Sequence, residues 1–314
     1  GFALDSVIMF LEEALAKSSE KAIVQSAAIE KKNSSSSGDN SSKTTGSLFE
    51  KKVQRLGEIT AQMHLGLASE LDVDFKKEPF TSLYQRSLYQ SFRGLTHRIF
   101  GFLESAIESN SFAPEHIEKF KNIIRLRSEI DMLFKRSVTT KITAYRTRIH
   151  GDYHLGQILF MDEQFRICDF EGNPRNTLSE RRLKRSPLSD VASMIHSFFN
   201  VAHLALVNKL QIQPRDRDSL LPQTQTWALT MANIFLGSYF NSLQQTFLGI
   251  SSINTTQTFL QLFLLEQSLI DFEKALQPGN QMINTLPLCL NYYLKLPVFT
   301  SLSSFQELPP GNKS

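Results

Sequence analysis

The sequence predicts a mainly α-helical fold with one small β-hairpin. Apolar residues recur at helical spacing in most of the long segments. Strand-like alternation is confined to a short stretch near the middle of the 314 residues. The first 150 residues show almost no other strand pattern.

In chain order, residues 3–17 predict an amphipathic helix, with Leu4, Val7, Ile8, Leu11 and Leu15 on one face. It belongs to a linking region over residues 1–30. Residues 31–47 hold a serine run and little that can bury, which predicts a disordered loop. The main domain is expected over 48–308. Its first helix covers 48–68, with Val53, Leu56, Ile59, Met63 and Leu67 as its stripe and His64 as a lone imidazole. A long helix from Ser82 to Ser109 carries Tyr84, Leu88, Phe92, Leu95, Ile99 and Leu103. Pro114 opens another, expected to run to Thr140. A strand over Arg146–Ile149 precedes the hairpin. Beyond a polar loop over 171–187, Ser189 or Asp190 can cap an apolar helix that includes Val191–Val207. A charged linker is expected over 213–223, then helices over 226–244 and 255–276, the second stopped by Pro278, Gly279 and Asn280. The tail, 309–314, is expected to fray.

Composition narrows the function. A net charge of +3 is weak for a nucleic-acid binder. The apolar helix is interrupted by His196, Asn200 and His203, so it reads as buried and not as a membrane span. Cys168 and Cys289 make no disulfide framework, and Cys168 reads as a small buried apolar residue of the hairpin. No secretory leader is visible, and a cytoplasmic location is expected. The basic run Arg181–Arg185 reads either as a solvated loop or as a phosphate contact.

The chemistry concentrates in His150-Gly151-Asp152-Tyr153-His154-Leu155-Gly156-Gln157 and Asp169-Phe170-Glu171-Gly172. Residues 157–161 and 165–169 alternate like strands around a polar turn, Asp162-Glu163-Gln164. Pairing Met161 with Phe165 sets Gln157 opposite Asp169, with Cβ atoms about 5 Å apart. Both offer oxygen, which suits Mg²⁺ better than zinc. Asp152, one loop upstream, is free to act as a base or to position a nucleophile. Asp190 reads either as a helix-start carboxylate or as a group that orients this loop.

These residues resemble the catalytic loop and metal-binding segment of the aminoglycoside-phosphotransferase-like kinases, with Gln157 at the usual Asn position. Together with Glu180–Met194, Leu56–His64 and Pro79–Ser91, they resemble the maltokinase branch, found alone or fused to bacterial trehalose synthase. The resemblance covers much of residues 48–210. It implies a protein-kinase-like C-terminal lobe without the N-terminal ATP-grasping lobe. It also implies ATP as co-substrate with Mg²⁺, and maltose or a similar small sugar as acceptor, giving maltose 1-phosphate. Asp152 would be catalytic, and Gln157 and Asp169 the metal ligands. Glu171, His150, His154 and Asp190 would support them or hold a second metal. Tyr84, Arg86, Arg181 and Lys184 are candidates for substrate contact. A trehalose synthase domain or a separate N-lobe is the implied partner. In the final helix Gln267 replaces the family's lysine, and Ile270 and Lys274 replace tyrosines.

Other classes stay open. The missing lobe and altered final helix fit a non-catalytic remnant, and the same site fits a kinase with another hydroxyl acceptor. The spacing His150-x-Asp152-x-His154 also occurs at dinuclear metal sites, which keeps a metal-dependent hydrolase in view.

Overall fold

The computed structural model describes residues 40–68, 72–139, 142–161, 164–208, 214–243, 247–250, 252–276, 283 and 286–304. The expected helix over 3–17, residues 31–39, the helix stop at 278–280 and the tail over 309–314 lie outside them.

The described chain is helical, with two small antiparallel ribbons. Its helices are α1 Asn40–Gly66, α2 Ser82–Glu108, α3 Pro114–Arg125, α4 Arg127–Thr139, α5 Leu178–Arg181, α6 Leu188–Asn208, α7 Pro214–Ser242, α8 Ile253–Ala275 and α9 Leu286–Leu294. The strands are β1 Glu78–Pro79, β2 Tyr145–Arg146, β3 Ile158–Met161 and β4 Gln164–Ile167.

Helix α6 is the centre of the core, packed by α7, α8 and α9. Val191, Ala192, Met194, Ile195, Phe198, Phe199, Ala202 and Ala205 are all fully buried. A helix apolar on every side must be enclosed by others, as the sequence predicts. No described helix is long and apolar enough to cross a membrane. Helices α2, α4 and α8 form the neighbouring layer, where Phe92 stacks on Phe134 at 4.4 Å. Thr81 caps α2 through its hydroxyl, which accepts from the Tyr84 amide.

Helix α1 lies along α7. The contact is close because position 57 has no side chain: a Cβ there would stand 2.5 Å from the Phe235 carbonyl oxygen. The buried face of α1 comprises Val53, Leu56, Thr60, Ala61 and His64. It is rotated from the predicted stripe, since Ile59 and Met63 are only half-buried.

Several expectations are corrected. Residues 40–47 of the serine-rich stretch belong to α1, because extending a formed helix costs far less than starting one. The expected linker over 213–223 falls mostly within α7, which contains Pro222. The helix expected from Pro114 to Thr140 breaks at Leu126, whose amide turns to the Ile123 carbonyl. The loop after the hairpin holds α5, started by a capping box of Thr177 and Glu180. The strand expected over 146–149 is shorter. Tyr145 and Arg146 pair with Pro79 and Glu78, and Thr147 bridges Arg185. Two-residue strands carry no readable period, and Pro79 argued against one. The hairpin register differs by one residue: Met161 pairs with Gln164 and Ile158 with Ile167.

Candidate functional site

The loop from His150 to Gln157 crosses the top of the core between β2 and β3. Its conformation is held from below. The Asp190 carboxylate, 2 % exposed, accepts from the amides of His150 at 2.7 Å and Gly151 at 2.9 Å. Asp190 stands in the first turn of α6, but its side chain reaches back into the loop instead of capping the helix. His64 Nε2 donates to the same carboxylate at 3.2 Å, and His64 Nδ1 accepts from Tyr239 at 2.9 Å. Burial, with Asp190 and Tyr153 adding, holds the Tyr239 hydroxyl far above its ordinary pKa, so it keeps the proton it donates.

The two loop histidines brace the backbone. His150 Nε2 donates to the Cys168 carbonyl at 2.7 Å, while its Nδ1 accepts from the Asp152 amide. The ring thereby ties the loop to the hairpin. His154 Nδ1 accepts from the Gly156 amide, and a Cβ at Gly156 would meet that imidazole at 2.9 Å. Its Nε2 then carries the proton and faces Asp152 Oδ2 at 3.8 Å. Burial lowers the His154 pKa, partly offset by Asp152. The described residues hold no group of three or more His, Cys, Asp or Glu side chains able to bind a metal. The His-x-Asp-x-His spacing therefore does not build a dinuclear centre among them.

Gln157 and Asp169 emerge at one end of the hairpin. In the observed register Gln157 faces Cys168, not Asp169: the Cys168 amide donates to the Gln157 carbonyl at 3.1 Å. The Cys168 thiol points the same way, 3.2 Å from that carbonyl and 3.8 Å from Gln157 Oε1, and it is only half-buried. Asp169 follows with φ of +60°, a left-handed conformation unusual outside glycine. Asp169 and Glu171 are exposed. The donor set is oxygen only, without a closed protein cage. That fits Mg²⁺, which keeps waters and shares its coordination with substrate phosphates.

Beside the loop lies a polar cavity of about 330 Å³, the size range of small-molecule sites. Its wall includes Gly151, Arg175, Arg185, Glu266 and Gln267. Glu266, on α8, makes no hydrogen bond to the described protein. Burial raises its pKa, and Arg185 partly offsets the rise. Of the four predicted substrate contacts only Arg181 reaches this wall, and its guanidinium donates to the carbonyls of Pro174 and Asn176. Tyr84 packs on Phe80 beneath the Arg146 guanidinium, and Arg86 is exposed outside the cavity. Lys184 donates to the carbonyls of Val73 and Lys76 and pairs with Glu78 at 2.8 Å. Within the basic run, Lys184 is thus a clamp on the chain around β1, while Arg181 and Arg185 line the cavity.

Sequence reasoning passed over Glu266, Tyr239 and Thr60. Glu266 stands in a helix whose spacing does not show which charged residue meets a cavity, and the other two sit in helices whose partners are far away in sequence.

No protein-family model matches the chain. A 95-residue stretch, 30% of this chain and 20% of the relative, is 27% identical to a glucosamine kinase of Streptacidiphilus jiangxiensis. A solved glucosamine kinase superposes with a TM-score of 0.64 at 17% identity, over 94% of this chain and 59% of that one. Another, in complex with glucosamine, ADP and inorganic phosphate, gives 0.60 at 20% identity over 79% and 52%. The chain shares the fold of these glucosamine kinases. It spans a little over half the length of the solved structures.

Proposed function

We propose that this chain carries the catalytic loop of an ATP-dependent sugar kinase. The observation that carries the reading is the placement of Asp152. Its loop is anchored from below by a buried carboxylate, lies beside the oxygen donors Gln157 and Asp169, and borders an open polar cavity. Phosphoryl transfer needs mainly this: positioning and charge neutralisation.

In the reaction, an acceptor hydroxyl oxygen attacks the γ-phosphorus of ATP. The bond from that phosphorus to the β,γ-bridging oxygen breaks, and ADP leaves. Asp152 orients the hydroxyl and takes its proton. Gln157 and Asp169 would hold Mg²⁺, which when bound neutralises charge on the phosphates. His154 directs its Nε2 proton toward Asp152 and limits the carboxylate's movement.

For the acceptor, an amino sugar is favoured by Glu266, a carboxylate in the cavity wall that makes no hydrogen bond to the described protein. An ammonium group would supply a hydrogen-bond donor, and the glucosamine-bound structure shares this fold. The second reading is maltose, phosphorylated at its anomeric hydroxyl. Its support is the resemblance of residues 150–194 to maltokinases.

The test is incubation of the full-length protein with Mg²⁺, ATP and either glucosamine or maltose, followed by mass spectrometry, with Asp152→Asn in parallel. A sugar phosphate that disappears in the variant is expected. Maltose 1-phosphate alone would move the acceptor to the second reading. Absence of any phosphorylated sugar, with ATP left intact, would leave a non-catalytic remnant as the better account.

A further inference from the structure

Asp152 sits between two anchored neighbours. On one side, the Gly151 amide donates to Asp190. On the other, the Tyr153 hydroxyl lies 2.7 Å from Thr60 Oγ1. Both anchors lead to one helix. Thr60 and His64 are four residues apart on α1, so they share a face, and both are fully buried. Thr60 Oγ1 donates to the Leu56 carbonyl at 2.7 Å and therefore accepts from Tyr153, whose buried hydroxyl keeps its proton. His64 donates to Asp190 and accepts from Tyr239. An apolar pair at these positions would avoid the cost of burying polar groups. Each instead keeps one hydrogen bond for the loop or its anchor, Thr60 for Tyr153 and His64 for Asp190.

We propose that Thr60 and His64 are positioning residues that fix Asp152 from both sides by way of Tyr153 and Asp190. The proposal rests on Asp152 being the acceptor-activating carboxylate of the kinase reading. A misplacement of about 1 Å at such a group costs up to about a hundredfold in rate. The two residues therefore act on turnover more than on binding, since neither lines the sugar cavity.

The test compares Thr60→Val, which keeps the shape and removes the hydroxyl, with Thr60→Ser, which keeps the hydroxyl. In the full-length protein Thr60→Val is expected to lower kcat about ten- to a hundredfold with the KM for sugar and ATP little changed, and Thr60→Ser to restore it. In parallel, amide hydrogen exchange at residues 150–153 is expected to quicken about tenfold in Thr60→Val and in His64→Asn, with α6 unchanged. Thr60→Val with wild-type kcat, or loop amides that exchange as before in both folded variants, would overturn the proposal. If no sugar is phosphorylated by the wild type, the kinase reading fails by itself, while the exchange measurement still decides whether α1 holds the loop.

Discussion

The two sides of the loop from His150 to Gln157 are built on opposite terms. Below it, Asp190, His64, Tyr239, Tyr153 and Thr60 form a buried and fully paired polar network. Above it, Asp169 and Glu171 are exposed, Glu266 lines the cavity, and Asp152 is half-buried with its carboxylate 3.8 Å from His154 Nε2. Groups below are satisfied by the protein. Those above are left for a ligand to satisfy. The difference teaches how this fold combines rigidity with reactivity: stability is concentrated one layer beneath the chemistry.

That contrast predicts opposite outcomes for substitutions a few ångströms apart. The largest effect on activity is expected for Asp152→Asn, with kcat falling about 10²–10⁴-fold. Its unfolding free energy in urea should stay within about 0.5 kcal/mol of wild type, because its carboxylate's ion-pair partner, His154, stands 3.8 Å away and is partly exposed. Asp190→Ala should do the reverse in equilibrium unfolding. It leaves two amides and the His64 imidazole unpaired in a buried site, at a cost of about 3–5 kcal/mol. Equal stability losses for the two variants would break the comparison.

A third prediction tests how far the buried layer depends on pH. Burial, with His196 adding, lowers the His203 pKa to about 4. The unfolded chain protonates this group near pH 6.5, whereas the folded protein resists until lower pH. The resulting penalty is absent above about pH 6.5 and grows as pH falls toward 4, reaching about 3 kcal/mol. His203→Leu should therefore lose less stability than wild type between pH 7 and 4.5, measured by urea unfolding at each pH. Parallel losses would show that His203 charges freely in the fold.

The smallest effect on stability is expected at Asp169. Its φ of +60° costs a non-glycine residue about 1 kcal/mol. Asp169→Gly should leave stability unchanged or raise it by up to about 1 kcal/mol, while the Mg²⁺-dependent rise in activity is lost. A clear destabilisation would place Asp169 with the buried layer.

Much of this was legible in the chain. The helical stripe of α2 is buried where expected at Leu88, Phe92, Leu95, Ile99 and Leu103, and α6 is enclosed as its apolar composition required. The hairpin was legible apart from one residue of register, because alternation alone does not fix which residue of one strand faces which of the other. The serine-rich start of α1 and the Pro222 region of α7 were read as loops, since local propensity there opposes the helix that packing extends.

By itself the sequence determined the period of its helices, the position of the hairpin, and the short cluster of acids and histidines, because each depends on neighbours within a few residues. Only the tertiary structure decided that Asp190 turns back to the loop and that Glu266 faces the cavity. It alone revealed that Thr60 and His64 lie beneath Asp152. Those contacts join residues between 39 and 175 positions apart, and their partners are chosen by how α1, α6, α7 and α8 pack. A polar residue in an amphipathic helix carries no mark of what it will meet until that packing closes over it.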